Sequence, residues 1–587
     1  MTSASTREII EDVLGHELSD EQWAAVSSPA EPAAIIAGAG SGKTTVMSAR
    51  VLWLVAEGYA LPDEVLGLTF TTKAAGELLG RTRRLLSEAE RRGLLPSSVS
   101  ESGAVEPSIS TYHSFASRLL GDHGVRLGLE PGAPVLADGA RQALAARVVR
   151  ATTLPLAGLG ESPAALITSM LHCDDALAEV DLEPDIVLAD AIDLSTWLEH
   201  LPSLQSTGAT MLSTARVRAA LCGLVTEFRE AKLAEQSVDF ADQVRLGLAI
   251  VRAAPDVGDE MRRRFPFVLL DEYQDTSTAQ RVLLQTIFGG GHPVTAVGDP
   301  CQAIYEWRGA SVDNIDRFPQ HFPRVTPEGH RPAARYPLAD NRRSGPRILD
   351  LANEMAAPLR QLHPGVEPLR AAATDRGSGE VIVGLHETYV DEVDWVCDRI
   401  MDLGQREGSW SGIAVLARTG ETLAQIDAAL DARGVPTRLI GVAGLLHVPV
   451  VAEVRAILDV LDDPASDPAL VRLLAGPRWR IGPRDLAALG ALAADRSRAA
   501  VDDTLEVRPD VDMALRMAVL GSDPADRPSL AEVIEAVVRR AESADPPDTI
   551  SPQALGRLGR FTREIRRLRR HLDEPSVEVI ARVIRST

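Results

Sequence analysis

The chain alternates short apolar runs with longer segments in which apolar residues recur at helical spacing. The run Ala33–Ala37 is of strand type, and it precedes "TVMSARVLWLVAEG", whose apolar positions fit a helix packed on one side. Phe265–Leu270 and Val294–Val297 have the character of further buried strands. Strands that alternate with helices are typical of a parallel sheet with helical crossovers. The pattern therefore predicts an α/β fold.

A glycine-rich loop joins the first predicted strand to its helix. The loop "AGAGSGKTT" consists of Ala37, Gly38, Ala39, Gly40, Ser41, Gly42, Lys43, Thr44 and Thr45. Its small residues allow backbone N–H groups to surround a phosphate chain at a helix N-terminus, where the helix dipole favours negative charge. In such a loop Lys43 reaches the β- and γ-phosphates and the Thr44 hydroxyl binds Mg²⁺. Ala37 takes the motif's first glycine position, which alanine can fill if its φ is negative.

Two acidic residues follow the predicted strand Phe265–Leu270. In "LLDEYQDTS", Asp271 is placed to hold Mg²⁺, and Glu272 is placed to take a proton from the water that attacks the γ-phosphate. The run Val294–Val297 leads into a similar turn, after which Gln302 lies where a side-chain amide could sense a γ-phosphate. These spacings predict a catalytic centre assembled from three separate segments.

Composition narrows the class of protein and its surroundings. The 587 residues carry a formal charge of −22, which argues against a protein that simply coats nucleic acid, although local arginine clusters could still form a basic channel. The N-terminus lacks the regions of a secretory signal, and no apolar run approaches the roughly 20 residues of a membrane span. We therefore expect a cytoplasmic protein with no membrane partner. The four cysteines lack metal-ligand spacing, so we expect free thiols.

Five segments occur in an order that is specific to one group of enzymes. They are "AGAGSGKTT", "LTFTTKAAGELLGRTR", "STYHSF", "LLDEYQDTS" and "VGDPCQAIYEWRGA". From about Gln22 to Ser344 the chain resembles the superfamily 1 DNA helicases of the UvrD/PcrA/Rep and RecB type. The resemblance implies a P-loop NTPase with RecA-like parallel-sheet motor domains and helical insertions. It also implies that the protein uses ATP and Mg²⁺.

The resemblance assigns further residues to the nucleotide. Gln22 in "LSDEQWAAV" matches a glutamine whose amide reads adenine. Arg343 in "LADNRRSGP" matches an arginine that reaches the γ-phosphate and stabilises charge in the transition state. Arg342 stands where the family usually has a tyrosine that stacks on adenine, and a guanidinium can also stack on a base. Nucleotide binding is therefore implied more firmly than preference for adenine.

The resemblance also assigns residues to single-stranded DNA. The implied set is Thr71, Lys73, Arg81, Thr111, His113, Tyr305, Trp307 and Arg308. Trp307 is the strongest candidate for a platform on which bases stack, although a ring buried at a domain interface would show the same residue type. Phe240 lies in another segment that matches the family, and core packing explains it as well as function does.

Four domains follow from the resemblance. Residues 1–112 and 236–330 are the first motor domain, 113–235 a helical insertion, 331–450 the N-terminal part of a second motor domain, and 451–587 part of a second helical insertion. Strands are predicted within the third of these domains at 380–385 and 413–418. Nothing after Ser344 resembles the family's two later motifs, so we expect a piece of a longer helicase.

Two functions agree with these residues. The first is ATP-dependent 3′–5′ translocation on single-stranded DNA, with unwinding at single-strand/duplex junctions during repair or recombination. The alternative is a weakly catalytic or non-motor DNA-binding subunit of a helicase–nuclease complex, with a nuclease or repair protein as its partner. The complete set Lys43, Asp271, Glu272 and Gln302 favours the motor, while the absence of the family's C-terminal arginine, which belongs to a later motif, keeps the alternative open.

Overall fold

Two compact units make up the chain, Met1–Ile382 and Val383–Thr587. The computed structural model describes residues 6–96, 99, 106–130, 132–156, 162–201, 203, 205–372, 377–440, 448–503, 529–543 and 547–586. The first unit is built on a six-stranded sheet whose strands, in spatial order, are Ser108–Thr111, Val65–Thr69, Phe267–Leu270, Val294–Gly298, Ala33–Ala37 and Ala334–Leu338. Every neighbouring pair in this sheet is parallel. The parallel α/β fold predicted from the sequence is confirmed.

The strands are short and are separated by helical crossovers. The six sheet strands are β1 (Ala33–Ala37), β2 (Val65–Thr69), β3 (Ser108–Thr111), β4 (Phe267–Leu270), β5 (Val294–Gly298) and β8 (Ala334–Leu338). Two small pairs lie outside the sheet: β6 (Arg324–Thr326) with β7 (Gly329–Arg331), antiparallel, and β9 (Asp340–Asn341) with β10 (Arg370–Ala371), parallel.

Helices of the first unit pack on both faces of the sheet and make up the described segments between β3 and β4. They are α1 (Thr6–Leu14), α2 (Asp20–Val26), α3 (Lys43–Ala56), α4 (Thr72–Arg91), α5 (Tyr112–His123), α6 (Asp138–Ala151), α7 (Pro163–Val180), α8 (Pro184–Glu199), α9 (Ser206–Ala234), α10 (Phe240–Ala253), α11 (Pro255–Arg264), α12 (Thr278–Phe288), α13 (Asp313–Asp316), α14 (Phe318–His321) and α15 (Pro346–Leu362). Among the described residues between β3 and β4, the regular elements are all helical.

Alternation within the central strand shows why helices pack on both sides. Ala34 and Ile36 of β1 belong to one apolar core, and Ile35 and Ala37 belong to another. All four are nearly inaccessible to solvent. Strands buried on both faces have continuous apolar sequences because no side chain faces water. This accounts for the unbroken apolar character of "AAIIA".

Helices also dominate the second unit. They are α16 (Tyr389–Glu407), α17 (Gly420–Asp431), α18 (Pro449–Asp462), α19 (Asp467–Ala475), α20 (Pro483–Asp503), α21 (Leu530–Glu542), α22 (Pro552–Arg569) and α23 (Ser576–Ser586). One small core joins α16 to α17 through Cys397 and Ile426, and a larger core includes Val460 and Leu558. Residues 441–447, at the end of the predicted second motor domain, lie outside the described part of the chain.

The strands predicted at 380–385 and 413–418 are wrong. In the structure neither segment forms a β-strand, and neither pairs with another strand among the described residues. A strand is defined by hydrogen bonds to a partner, which an apolar sequence pattern cannot supply by itself. Leu385 and Leu416 are 97% and 96% exposed, whereas Ile413 and Val415 are partly buried against the small core that contains Cys397.

The strand β8 belongs to the first sheet. It pairs in parallel with β1, with Ala334 opposite Ala33 and Leu338 opposite Ala37. The sequence analysis places the second motor domain from residue 331, so it assigns this strand to the other side of a boundary. The domain boundaries themselves stay a prediction. No helix in the described ranges is long and apolar enough to span a membrane.

A cluster of buried charged side chains joins α7 and α9 to the start of α10. Lys232 on α9 is 2% exposed, and its Nζ lies 3.1 Å from Asp174 Oδ2, 2.8 Å from Asp239 Oδ2 and 2.8 Å from Asp242 Oδ2. Burial opposes ionisation of Asp242, but Lys232 and Arg245 outweigh it and hold the pKa of that carboxyl at about 2. Asp239 also caps α10, with its side chain accepting the Asp242 N–H. Lys232 therefore contacts three carboxylates from α7 and the start of α10, and Arg229, Arg141 and Arg245 each pair with one of them.

Replacing Lys232 by methionine should destabilise the first unit by about 3–5 kcal/mol, because buried carboxylates would lose their shared cation. Urea unfolding measured by circular dichroism tests this. Arg147→Met is the matched control, because Arg147 pairs with Glu235 at the surface and its loss should cost less than about 1 kcal/mol. Equal losses for the two variants would contradict the structural role given to Lys232.

Candidate functional site

Parallel strands place the ends of distant segments side by side. The carboxyl ends of β1, β2, β3, β4, β5 and β8 all lie at one edge of the sheet. Ligand sites in open parallel sheets form at this edge, where loops leave the strands. The predicted phosphate loop follows β1, the predicted acidic pair follows β4, and the predicted DNA-contacting segments follow β2, β3 and β5. The sheet therefore collects most of the predicted site residues.

The glycine-rich loop connects β1 to the first turn of α3. Ala37 is the last residue of β1 and is absent from the residues with positive φ, as alanine in this position requires. Gly42 caps α3 with a φ of 89°. Gly40 has a φ of 70°, and a Cβ there would lie 2.5 Å from Asn341 Nδ2. Backbone conformation and close packing together require glycine at position 40.

Lys43 contacts the acidic pair directly. Its Nζ lies 3.0 Å from Glu272 Oε2, and the lysine side chain is largely buried while Glu272 is about one third exposed. Gln274 Nε2 also donates to Glu272 Oε2, at 2.8 Å. Thr44, the predicted Mg²⁺ ligand of the loop, is exposed. The loop and the acidic pair, 229 positions apart along the chain, therefore form one site.

Asp271 has a buried carboxylate, and a nearby cation would stabilise its negative charge. Its Oδ1 accepts the Glu272 N–H at 3.0 Å, and its Oδ2 accepts the Thr69 hydroxyl at 3.3 Å. Burial raises the pKa of Asp271 to about 6, and the charge of Glu272 adds to the rise, while Lys43 opposes it. A bound divalent cation would favour the ionised carboxylate. The donor set of Asp271 and Thr44 therefore fits Mg²⁺.

Glu272 has a backbone conformation that is unusual for its residue type. Its φ is 46° and its ψ is 44°, in the left-handed region. A residue with a Cβ adopts this region at a cost of roughly 1–2 kcal/mol. Such conformations concentrate at functional sites, where surrounding contacts hold them. Here the contacts from Lys43 and Gln274 fix the direction of the carboxylate.

Gln302 is connected to the acidic pair through two other side chains. Its Nε2 donates to Asp299 Oδ2 at 2.5 Å, and the Asp299 N–H donates to Gln274 Oε1 at 3.1 Å. Gln274 bridges this pair to Glu272. The sequence analysis identified Gln302 and missed both Asp299 and Gln274. Asp299 directly follows β5 and Gln274 lies shortly after β4. These positions at the ends of predicted strands were the signal that could have identified both residues.

The segment after β8 lies against the glycine-rich loop. Asn341 Nδ2 donates to the carbonyl of Ala39, and the Arg342 N–H donates to the carbonyl of Gly40 at 3.0 Å. The Asn341 side chain also accepts the Arg343 N–H at 2.8 Å. A Cβ on Gly40 would lie 2.8 Å from Arg343 Cβ. The structure therefore brings Arg342 and Arg343 to the loop through Asn341, which the sequence analysis missed.

Gln22 also lies beside the loop, but its amide is occupied by protein groups. Its Nε2 donates to the Ser41 carbonyl at 2.8 Å. Its Oε1 accepts the Ser19 N–H at 3.1 Å, which completes a capping box at the start of α2. Adenine reading by Gln22 stays a prediction, and a base would have to replace these contacts.

An aromatic and basic cluster follows β5. The Tyr305 ring stacks on Phe70 with centroids 4.7 Å apart and lies 6.4 Å from Trp307. The Arg308 guanidinium lies 4.6 Å from the centre of the Trp307 ring. Trp307 is 73% exposed, so it does not fill a core among the described residues. Phe70, which follows β2, was missed because only the fold brings it to Tyr305.

The remaining predicted DNA contacts lie at the ends of β2 and β3. Thr71 caps α4 and Thr111 caps α5, each accepting a backbone N–H three residues on. Lys73 is exposed and lies 3.8 Å from Glu77, while Arg81 is partly buried further along α4. His113 lies 5.7 Å from the ring of Phe240, which is 64% exposed, so Phe240 is a surface residue and not a core residue.

Two family models match the chain. Residues 18–323 match the model of the UvrD/REP helicase N-terminal domain, and residues 336–506 match that of the UvrD-like helicase C-terminal domain. The chain belongs to the UvrD/REP helicase family. The first match contains the glycine-rich loop, the acidic pair and the aromatic cluster of this helicase-family chain.

Curated relatives within the UvrD/REP helicase family cover most of the chain. This chain is 30% identical over 493 residues to the ATP-dependent DNA helicase UvrD1 of Mycobacterium tuberculosis. The alignment covers 82% of this chain and 57% of that protein. The chain is 27% identical over 483 residues to DNA helicase II of Haemophilus influenzae, covering 82% and 59%. It is 25% identical over 481 residues to the ATP-dependent DNA helicase PcrA of Bacillus subtilis, covering 81% and 57%. The chain therefore spans less than two thirds of the length of these relatives.

Proposed function

We propose that this chain is the motor part of an ATP-dependent DNA helicase that moves along single-stranded DNA in the 3′–5′ direction. The observation that carries the proposal is the joint position of two clusters at one sheet edge. One contains Lys43, Asp271 and Glu272, and the other contains Tyr305 and Trp307. Membership of the UvrD/REP helicase family and relatives named ATP-dependent DNA helicases support it. Single-strand/duplex junctions and a role in repair or recombination belong to this proposal.

Nucleotide hydrolysis would use the groups around Lys43. When bound, MgATP supplies the phosphoanhydride bond and a metal ion that neutralises phosphate charge. Lys43 would move from Glu272 to the β- and γ-phosphates, and Thr44 and Asp271 would hold the metal. Glu272 would then be free to accept a proton from the attacking water. The ion pair between Lys43 and Glu272 thus holds the lysine ammonium and the glutamate carboxylate close to each other.

Neighbouring side chains would report on the phosphate and hold the base. Gln302 has a side-chain amide within hydrogen-bond distance of Asp299, from which it could turn toward a γ-phosphate. Arg343 lies beside Gly40 and would stabilise charge at the same phosphate. Arg342, which also donates to the Glu17 carbonyl, would stack on the base next to Gln22.

Single-stranded DNA would lie across the strand ends. The exposed residues Thr71 and Lys73, together with Arg81, would contact phosphates, and Thr111 and His113 would line the next turn. Trp307 offers an exposed ring, and stacking on such a ring tolerates any base. A motor must bind any sequence it crosses. Phosphate contacts combined with stacking satisfy that requirement.

Lys43→Ala should abolish ATP hydrolysis stimulated by single-stranded DNA, because the phosphates lose their lysine. It should leave affinity for the strand nearly unchanged. Lys73→Ala should instead weaken affinity for the strand and leave ATP hydrolysis without DNA unchanged, since Lys73 is exposed in the first turn of α4 and its ion pair is with Glu77. Phosphate release and fluorescence anisotropy measure the two properties. A wild-type chain with neither DNA binding nor ATP hydrolysis would contradict the proposed function.

Trp307→Ala should weaken binding of a single-stranded oligonucleotide by roughly 1–3 kcal/mol, because a base loses its stacking surface. Trp197→Ala is the matched control, since Trp197 is also well exposed, at 60% against 73%, but lies on α8 of the insertion. Fluorescence anisotropy titrations compare the two. If both variants bind as the wild type does, Trp307 is not the stacking platform.

A further inference from the structure

Two segments predicted to contact DNA each place a buried hydroxyl on Asp271. Thr69, two residues before Thr71, donates to Asp271 Oδ2 at 3.3 Å. Tyr112, between Thr111 and His113, donates through its hydroxyl to the main-chain carbonyl of Asp271 at 2.8 Å. Asp271 therefore receives one hydrogen bond from the end of β2 and one from the start of α5.

The Tyr112 ring that makes this contact is buried and packs in the core. Tyr112 is 4% exposed and packs in the same apolar cluster as Leu68 and Leu270. Burial raises the pKa of Tyr112 well above its usual value, and the charge of Asp271 adds to the rise, so the hydroxyl keeps its proton and remains a donor. This hydrogen bond joins two residues that lie 159 positions apart in the sequence.

The contact forms part of a short path between the two predicted ligand sites. Thr111 caps α5 by accepting the Ser114 N–H at 3.1 Å, so it is held to the helical turn that contains Tyr112. At the other end, Asp271 is joined covalently to Glu272, which binds Lys43 at 3.0 Å. The hydrogen bond from Tyr112 to Asp271 thus links the turn at Thr111 to the ion pair of Lys43 with Glu272.

We propose that Tyr112 is a positioning residue that couples binding of single-stranded DNA to binding of the nucleotide through its hydrogen bond to Asp271. This inference rests on the proposed function, since it requires both ligands. A strand that displaces the turn of Thr111 and His113 would move Tyr112 with it. Because the Tyr112 hydroxyl holds the Asp271 main chain, the displacement would change the direction of the carboxylates that follow β4.

Coupling of this kind is reciprocal. If the strand changes nucleotide affinity by some factor, the nucleotide must change strand affinity by the same factor. A variant that only damages packing lowers affinities without lowering this factor. The coupling factor is therefore the property that separates a positioning role from a structural one.

The test compares Tyr112→Phe with Tyr273→Phe. Both rings are buried near Asp271, but the Tyr273 hydroxyl is buried without a hydrogen-bond partner among the described residues, so its removal breaks no such bond. Each protein is titrated with a fluorescent oligo(dT) strand, with and without a non-hydrolysable ATP analogue and Mg²⁺. The analogue is then titrated with and without the strand.

We expect Tyr112→Phe to reduce the coupling factor by roughly 2- to 10-fold in both titrations, the range set by loss of one hydrogen bond. Tyr273→Phe should keep the wild-type factor. A wild-type factor in Tyr112→Phe, even with both affinities lowered, would overturn the proposal. An equal loss in both variants would also overturn it. A wild-type chain that binds neither ligand would instead contradict the proposed function, and the two failures are thereby distinguished.

Discussion

Six parallel strands deliver their carboxyl ends to one edge of a sheet, and the candidate site depends on this constraint. Lys43 and Glu272 are 229 positions apart, yet their charged atoms lie 3.0 Å from each other because β1 and β4 are both central strands, separated by β5. The same edge carries the turns after β2 and β3. A sheet with one of these strands reversed would place its loop at the opposite edge, and the site would lose a component.

Charge repulsion between the two acidic residues explains why a lysine lies beside them. Asp271 and Glu272 are adjacent carboxylates, and burial with mutual repulsion raises the pKa of Asp271 to about 6. Lys43 relieves part of this repulsion by pairing with Glu272. Under the proposed function Lys43 would move to the phosphates, the carboxylates would then need another cation, and Mg²⁺ with Asp271 as a ligand would meet that need. Although the chain as a whole is acidic, two basic side chains, Lys73 and Arg308, follow β2 and β5 at this edge.

Local sequence patterns predicted the parts of the site that lie within one segment. The glycine-rich loop, the strand before Asp271 and the turn before Gln302 each have a short pattern with a physical reason, and the structure has these elements close to the predicted positions. Asn341, Phe70 and Tyr112 were missed because their contacts join segments that only the fold brings together. The strands predicted at 380–385 and 413–418 failed for a related reason, since apolar spacing indicates a suitable strand but does not supply its partner.

The central claim is that Glu272 and a triphosphate compete for Lys43, and nucleotide affinity of Glu272→Gln tests it most directly. Isothermal titration with MgATP should show binding tighter than wild type by about 2- to 5-fold, the worth of a partly exposed ion pair, together with loss of hydrolysis. Glu306→Gln, an exposed carboxylate after β5, should leave nucleotide affinity unchanged. Weaker nucleotide binding by Glu272→Gln, or hydrolysis at the wild-type rate, would contradict the account.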